Sequence, residues 1–190
     1  MKQWFIKVTP LAEKAIDVVK KGKIKITPKN FESTYFQWLE NLRDWNISRQ
    51  VVWGIRIPAW MCEKCANWEV TEGPTPENCS KCKSKDLVQD VDTFDTWFSS
   101  AQWPFATLQS NSESRIMNHE SWEEGSDFDK FYPTTVMETG YDILRWWVAR
   151  MIMVGLYVTG KQPFDNVVLH GLVKDPYGKK MSKSKGNVIN

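Results

Sequence analysis

Between Thr9 and Lys21 the apolar side chains Leu11, Ala15, Ile16 and Val19 recur at helical spacing, with Thr9 as a candidate N-cap, Pro10 at the first helical position and Gly22 as the stop. Lys23-Ile24-Lys25-Ile26-Thr27 alternates instead, which predicts a short half-exposed strand closed by Pro28. Asn30 is placed to cap a second helix on which Phe31, Tyr35, Trp38, Leu39, Leu42 and Trp45 share one core-facing stripe, while Glu32, Glu40 and Arg43 lie off it. Val51 to Ile57 is a nearly continuous apolar and β-branched run ended by Pro58, the pattern of a buried strand in a parallel sheet. Asp92-Thr93 predicts the cap of a short helix through Trp97 and Ala101, ending before Trp103-Pro104. Residues 109–129, rich in Ser, Asn, Glu and Asp, predict an exposed loop. A strand at Thr134 to Met137, Gly140, a long helix from Asp142 and a further strand at Val167 to Leu169 follow. Strands separated by helices argue for an α/β fold with crossovers, and neither an internal repeat nor a low-complexity tract interrupts it.

Composition narrows this picture. A chain of 190 residues with 42% hydrophobic side chains can bury one full core and carry a small appendage. Its eleven tryptophans require burial or a flat ligand to stack on. A formal net charge of +2 gives no strong overall pull toward nucleic acid or an anionic membrane, so any contact with nucleic acid has to be local. The lysines between Lys20 and Lys25 fit a solvated face. The longest apolar stretch, Ile143 to Val158, is interrupted by Arg145 and Arg150 and falls short of the ~20 largely uncharged residues of a bilayer span, so it predicts a buried helix and no membrane partner. The N-terminus lacks a signal-peptide pattern, and a cytoplasmic location is expected. In that reducing compartment, four cysteines in two close pairs point to metal ligation rather than disulfides.

Cys62-Glu63-Lys64-Cys65 and Cys79-Ser80-Lys81-Cys82 are two C-x-x-C knuckles separated by thirteen residues. That spacing lets Cys62, Cys65, Cys79 and Cys82 surround one Zn2+ tetrahedrally, with Gly73-Pro74 and Pro76 available for the return turn. Four thiolates leave no open position, so such a metal is structural. A redox pair is the alternative, although it normally needs only one knuckle at a helix start. Near the other end, Asp175 to Asn187 holds a β-turn candidate, four lysines, two serines and a glycine. Such a loop suits polyphosphate: lysines supply mobile point charges, serine hydroxyls donate to oxygens, and Gly178 and Gly186 let the backbone bend. A flexible basic tail is the plainer reading of the same residues.

Several of these stretches together resemble one family. Lys180-Met181-Ser182-Lys183-Ser184 with Lys185-Gly186-Asn187 is similar to the second signature motif of the class I aminoacyl-tRNA synthetases that carry a large editing insertion. Arg43-Asp44-Trp45, Ile47-Ser48-Arg49-Gln50 and Trp53-Gly54 resemble the point where the chain leaves that insertion. Asp95-Thr96-Trp97-Phe98-Ser99-Ser100-Ala101 with Trp103-Pro104-Phe105 resembles the form found in the valyl members, and Gly140-Tyr141-Asp142-Ile143, Trp147 to Met151 and His170-Gly171-Leu172-Val173 complete the pattern. The resemblance implies ATP-dependent activation of valine and its transfer to tRNA(Val), with ATP and Mg2+ as substrate and a structural Zn2+ in the knuckles. It implies that Lys180 and Lys183 are catalytic and stabilise pyrophosphate charge. Lys183, Ser182, Ser184, Met181, His170, Gly171 and Leu172 contact ATP on this reading, while Asp142 takes the substrate ammonium and Trp97 and Ile143 wall the amino-acid pocket. On local pattern alone, Trp97 reads as a core residue and Asp142 as a helix N-cap.

The implied fold is α/β, the second half of a class I Rossmann-like nucleotide-binding domain with an inserted zinc ribbon. Its expected divisions are 1–45 for the end of the editing insertion and connecting helices, 46–190 for the catalytic half, and 61–85 for the ribbon within it. The family's His-x-Gly-His motif is not formed by His119 or His170, the two histidines present. The expectation is therefore a truncated internal piece, inactive alone, separated from an N-terminal catalytic half and an anticodon-binding domain. Ile55, in place of a histidine, and Arg145-Trp146, in place of an aromatic pair, depart toward the isoleucyl pattern. An isoleucyl-type synthetase piece is accordingly one alternative, and a non-catalytic zinc-ribbon module that binds RNA is another.

Overall fold

The computed structural model of the protein describes residues 2–71, 74–108 and 126–188. Phe5–Ile6 (β1) leads into Thr9–Lys20 (α1), whose Ala12, Ala15, Val18 and Val19 are buried. The cap of α1 is Val8 and not Thr9: no hydroxyl caps the helix, and the Val8 N–H donates to the Asp44 carboxylate at 3.3 Å. Lys25–Thr27 (β2) buries Ile26 and turns Lys25 outward, as its alternation requires. Phe31–Glu40 (α2) starts after Asn30, although that side chain makes no capping hydrogen bond, and it buries Tyr35 and Leu39. The apolar stripe outruns the helix, because Trp45 lies in Trp45–Asn46 (β3), an antiparallel partner of β1.

Ser48–Arg49 (β4) comes next, and then the sequence expectation fails. Val51 to Ile57 forms no strand of the parallel sheet; Val52 is fully exposed, Trp53 is 92% exposed, and Ile57 alone is buried. β-Branched residues favour a strand only where a sheet edge is available. Here the chain folds against Thr93 instead, through an isolated Arg56–Thr93 bridge and the Phe94 N–H to the Ile55 carbonyl. Gly54 takes φ +148, and a Cβ there would lie 3.0 Å from the Thr93 Cβ, so only glycine passes.

Ala59–Cys62 (β5), Trp68–Val70 (β6) and Leu87–Gln89 (β7) form a separate antiparallel ribbon in the order β6-β5-β7. Its pairing runs from Ala59 to Gln89, somewhat wider than 61–85. Thr93–Phe94 (β8) pairs with β4, so Asp92 leads into a strand that Thr93 begins, and the pair caps no helix. The helix there is Thr96–Ser100 (α3), with Asp95 at its N-cap position. Trp103–Ala106 (α4) follows where a break was expected; Pro104 sits in its first turn, where a missing N–H is harmless. Of the expected loop over 109–129, residues 109–125 lie outside the described residues. Asp127–Phe131 (α5) is helical, capped by the Ser126 hydroxyl, which accepts the Asp129 N–H at 3.2 Å.

Thr134–Gly140 (β9), the helical segment from Tyr141 to Thr159 and Phe164–His170 (β10) make the strand–helix–strand unit at the centre. The helix begins with a 3-10 turn over Tyr141–Ile143 and a π turn over Leu144–Val148, then becomes α over Ala149–Thr159 (α6), and it ends at left-handed Gly160. β10 lies between β2 and β9, all three parallel, with His170 opposite Gly140. Ala149 to Val154 are buried in α6, which packs against α1, and the Tyr35 hydroxyl donates to the Ala15 carbonyl at 2.9 Å. Among the described residues no helix is long and apolar enough to cross a membrane.

Candidate functional site

The ribbon brings all four cysteines together: one sulfur from each lies within 4.8 Å of the others. Cys62 and Cys79 are buried. Each knuckle is the same construction. The Cys62 N–H donates to the Asn67 carbonyl (2.9 Å) and the Ala66 N–H to the Cys62 carbonyl (2.8 Å); the Cys79 N–H donates to the Ser84 carbonyl (2.8 Å) and the Lys83 N–H to the Cys79 carbonyl (2.9 Å). Ala66 and Lys83, each directly after a second cysteine, are both left-handed at φ 55 and φ 60. The sulfurs of Cys62 and Cys82, and those of Cys65 and Cys79, stand 3.5 Å apart. A disulfide needs about 2.05 Å. Tetrahedral ligation with Zn–S of about 2.3 Å sets sulfurs roughly 3.8 Å apart. The four thiols therefore fit a metal with a soft, four-sulfur preference, and they leave it no open coordination position.

The second group of expected residues gathers at the carboxyl ends of β9 and β10, the edge where parallel α/β sheets bind ligands. Asp142 is the second residue after β9, and Gly171-Leu172 follows β10. Gly140 sits between them: a Cβ there would come within 2.8 Å of the Asp142 carboxylate, 3.1 Å of the Leu172 side chain and 3.7 Å of the His170 ring. The His170 ring lies between the Glu138 carboxylate (3.3 Å) and the Gly171 carbonyl (2.6 Å). Lys180 arrives from the loop and donates to Asp142 at 2.5 Å, joining residues 38 positions apart. Asp142 thus lies within a 3-10 turn and holds an ammonium; it is not the helix N-cap.

The lysine loop is ordered by one carboxylate. Asp175 Oδ1 accepts the N–H groups of Tyr177 (3.0 Å) and Lys179 (2.8 Å), and Oδ2 accepts from the Asn187 amide (2.8 Å). Asn187 in turn accepts the Ser182 N–H at 3.0 Å. The Asn187 amide, then the Lys179 N–H, hold the Asp175 carboxyl below the usual carboxylate range. Ser182 and Ser184 share a hydrogen bond at 2.8 Å, and Lys183 opens a short 3-10 turn with its side chain in solvent. The plain flexible tail is therefore not what forms: Lys180 and Lys183 are presented on a built turn.

Trp97 and Ile143 are not brought together in the same way. Trp97 is half-buried against the core and lines a cavity of about 480 Å3 with Arg43, Trp45, Arg49, Asp95, Trp146 and Arg150, and neither Ile143 nor Asp142 lines it. The sequence reading missed this cluster. Asp95 accepts from the Trp45 indole (3.0 Å) and pairs with Arg49 (3.1 Å) and Arg150 (3.4 Å), while the Arg150 guanidinium lies 4.0 Å over the Trp45 ring. Burial lowers Arg150 to about 10 against the opposing pull of Asp95, and it keeps its charge at neutral pH. Its one sequence signal was an arginine inside an otherwise apolar helix, which has to find a carboxylate.

The sequence model described as tRNA synthetases class I (I, L, M and V) matches residues 1–190. The valine--tRNA ligase of Symbiobacterium thermophilum is 51% identical over 189 residues, covering 99% of this chain and 19% of that protein. The valine--tRNA ligase of Clostridium acetobutylicum is 49% identical, covering 99% and 20%. The chain thus spans about a fifth of the length of the curated relatives it matches. Among solved structures, a Mycobacterium tuberculosis methionyl-tRNA synthetase in complex with methionyl-adenylate shares the fold with TM-score 0.61 at 19% identity, covering all of this chain and 30% of that one. A ternary complex of the Agrobacterium radiobacter K84 agnB2 LeuRS with tRNA and LeuAMS gives TM-score 0.56 at 26% identity, over 78% of this chain and 22% of that one.

Proposed function

Because the chain belongs to the class I tRNA synthetases of the isoleucine, leucine, methionine and valine group, we propose that it is part of the catalytic domain of a valine--tRNA ligase. The observation that carries this reading is the meeting of Asp142 and Lys180 at the carboxyl edge of β9 and β10, in a chain about half identical to valine--tRNA ligases. In that reaction a valine carboxylate oxygen attacks the α-phosphorus of ATP, the bond to the β-phosphate breaks, and pyrophosphate leaves from valyl-adenylate. The terminal adenosine hydroxyl of tRNA(Val) then takes the valyl group and AMP leaves. Catalysis of this kind is mainly positioning and charge stabilisation. Lys180 and Lys183 supply charge to the departing pyrophosphate, supported by their presentation on the Asp175-anchored turn. Ser182, Ser184 and the Met181 backbone add donors and shape to the same phosphate region. His170, Gly171 and Leu172 lie beside the adenine. Asp142 receives the valine ammonium, a role supported by the ammonium it already holds; Trp97 and Ile143 take the pocket walls on family resemblance alone, since the cavity that Trp97 lines includes neither Ile143 nor Asp142.

The remaining assignments follow from the same reading. Residues 1–45 close the editing insertion, 46–190 form the catalytic half, and 61–85 form its ribbon. Mg2+ accompanies ATP and offsets phosphate charge. Cys62, Cys65, Cys79 and Cys82 hold Zn2+, which on binding supplies a rigid cross-link and no chemistry. Four unpaired thiols suit a cytoplasmic protein.

The test is a chimera in which this chain replaces its counterpart in the Symbiobacterium thermophilum enzyme. Valine-dependent exchange between ATP and pyrophosphate is expected, falling about 100- to 1,000-fold with Lys183→Ala. A folded but inert chimera refutes the catalytic reading, and a chimera that exchanges with isoleucine in preference to valine refutes the amino-acid assignment.

A further inference from the structure

The backbone bonds within each knuckle fix two sulfurs against each other, and between the knuckles the backbone supplies the Glu63 N–H to the Asp86 carbonyl (3.0 Å), four residues beyond Cys82, but nothing that reaches the interior of the second knuckle. Cys62 ends β5, whereas Cys79 and Cys82 belong to no strand. One carboxylate oxygen reaches that interior. Glu69, on β6, accepts at Oε1 from the Asn67 amide (2.7 Å), from the Ser80 N–H (2.7 Å) and from the Ser80 hydroxyl (2.7 Å). Asn67 is the residue whose carbonyl takes the Cys62 N–H, and Ser80 lies inside the second knuckle directly after Cys79. A single oxygen therefore ties the closing residue of the first knuckle to the interior of the second. Bonds to a carboxylate are shorter and roughly twice as strong as neutral ones, which suits a clasp on an exposed ribbon.

We propose that Glu69 is a positioning residue for the thiolate centre: it clasps the second knuckle onto the first and sets how long the four sulfurs retain a divalent metal. Groups that orient metal ligands from outside the coordination sphere commonly govern affinity in this way. The clasp works by geometry. A carboxylate beside four thiolates adds like charge, so its benefit comes from the three bonds it accepts and not from its field. The inference rests on the cysteines binding a metal, and it is independent of the synthetase reading.

The experiment loads the protein with Zn2+, confirms one metal per chain, and follows transfer of zinc to a chromophoric chelator; Co2+ loading reports the ligand set. Absence of bound metal in the unmodified protein would refute the metal reading itself, which separates the two failures. Glu69→Ala is expected to release zinc about 10-fold faster or more, with the Co2+ spectrum still that of four thiolates. Glu69→Gln keeps an acceptor oxygen on the same stem and is expected to restore most of the retention. Ser80→Ala is expected to speed release in the unmodified protein and to have no further effect beside Glu69→Ala. Release from Glu69→Ala within about twofold of the unmodified protein overturns the proposal, since clasping groups typically cost 10-fold or more. Full additivity of Ser80→Ala with Glu69→Ala overturns it as well.

Discussion

The cysteine ribbon and the lysine loop are both short reversals of chain that gather like charges, and they are built in opposite ways. In the ribbon the chemistry points inward: Cys62 and Cys79 are buried, each knuckle satisfies its own backbone groups, and Glu69 is consumed in holding the halves together. In the loop the chemistry points outward. Asp175 and Asn187 take up the backbone N–H groups, so that Lys183 and its neighbours remain free to meet a ligand, and the Lys180 ammonium rests on Asp142, the carboxylate proposed to take a substrate ammonium in its place. The contrast matches the two proposed roles: a site meant to close on a permanent metal saturates its donors, whereas one meant to meet a passing ligand keeps its strongest charges exposed on a prepared frame.

The sharpest way to break this comparison is to load the four thiols with Zn2+ and then remove it. Structural zinc contributes on the order of 10 kcal/mol or more to the small domains it organises. Chelation is therefore expected to abolish amide protection across β5, β6 and β7, at Trp60 and Glu69 for example, while β10 and α6 remain protected by a core that contains no cysteine. Hydrogen exchange followed by mass spectrometry reads both regions at once. A ribbon that stays protected without metal, or a core that opens with it, would show that the two regions are not independent.

A middle-sized effect probes the carboxyl edge of the sheet. In Gly140→Ala the new methyl has to displace the Asp142 carboxylate, 2.8 Å away, or the Leu172 side chain, 3.1 Å away. Crowding of this kind costs about 1–3 kcal/mol. In the chimeric enzyme the expected result is a rise of roughly tenfold or more in the KM for valine, with the KM for ATP changed much less. An unchanged KM for valine would detach Asp142 from the ammonium role, whereas a rise for ATP alone would show that the methyl is relieved at Leu172 and His170 instead.

What could be read in advance follows the same division. The knuckles were legible because C-x-x-C spacing leaves the sulfurs few places to go, and the parallel strands over 134–140 and 164–170 were legible at their apolar centres. Glu69 was not, since an acid on a short strand looks like surface charge until Ser80 is folded onto it. The Asp142–Lys180 pair is separated by 38 residues and leaves no local trace. Val51 to Ile57 was misread because propensity describes a residue's fit to a sheet and says nothing of whether an edge is there; in this chain Thr93 and Gly54 turn the run outward. The stripe from Ile143 onward gave a helix but not its 3-10 and π entry turns, which place Asp142 at the end of β9 rather than on a cap.

The smallest expected effect concerns the frame of the loop. Asp175 has a carboxyl held below its usual range by Asn187 and the Lys179 N–H, so it contributes order that is fully present above the unfolded value of about 3.9 and is lost only as pH falls through the lower, folded value. The Tyr177 and Lys179 amides are therefore expected to keep their NMR positions from neutral pH down to about pH 5, and to shift together only in more acidic solution. Asp175→Asn keeps an oxygen for those two N–H groups but sets an amide nitrogen against the Asn187 amide, forcing one of them to turn. If Asn187 turns, the Ser182 N–H loses its acceptor, so faster exchange at Ser182 with little change at Tyr177 is the expected signature. Unchanged exchange at Ser182, Tyr177 and Lys179 alike would mean that the lysines are presented by the turn itself and that Asp175 is incidental to it.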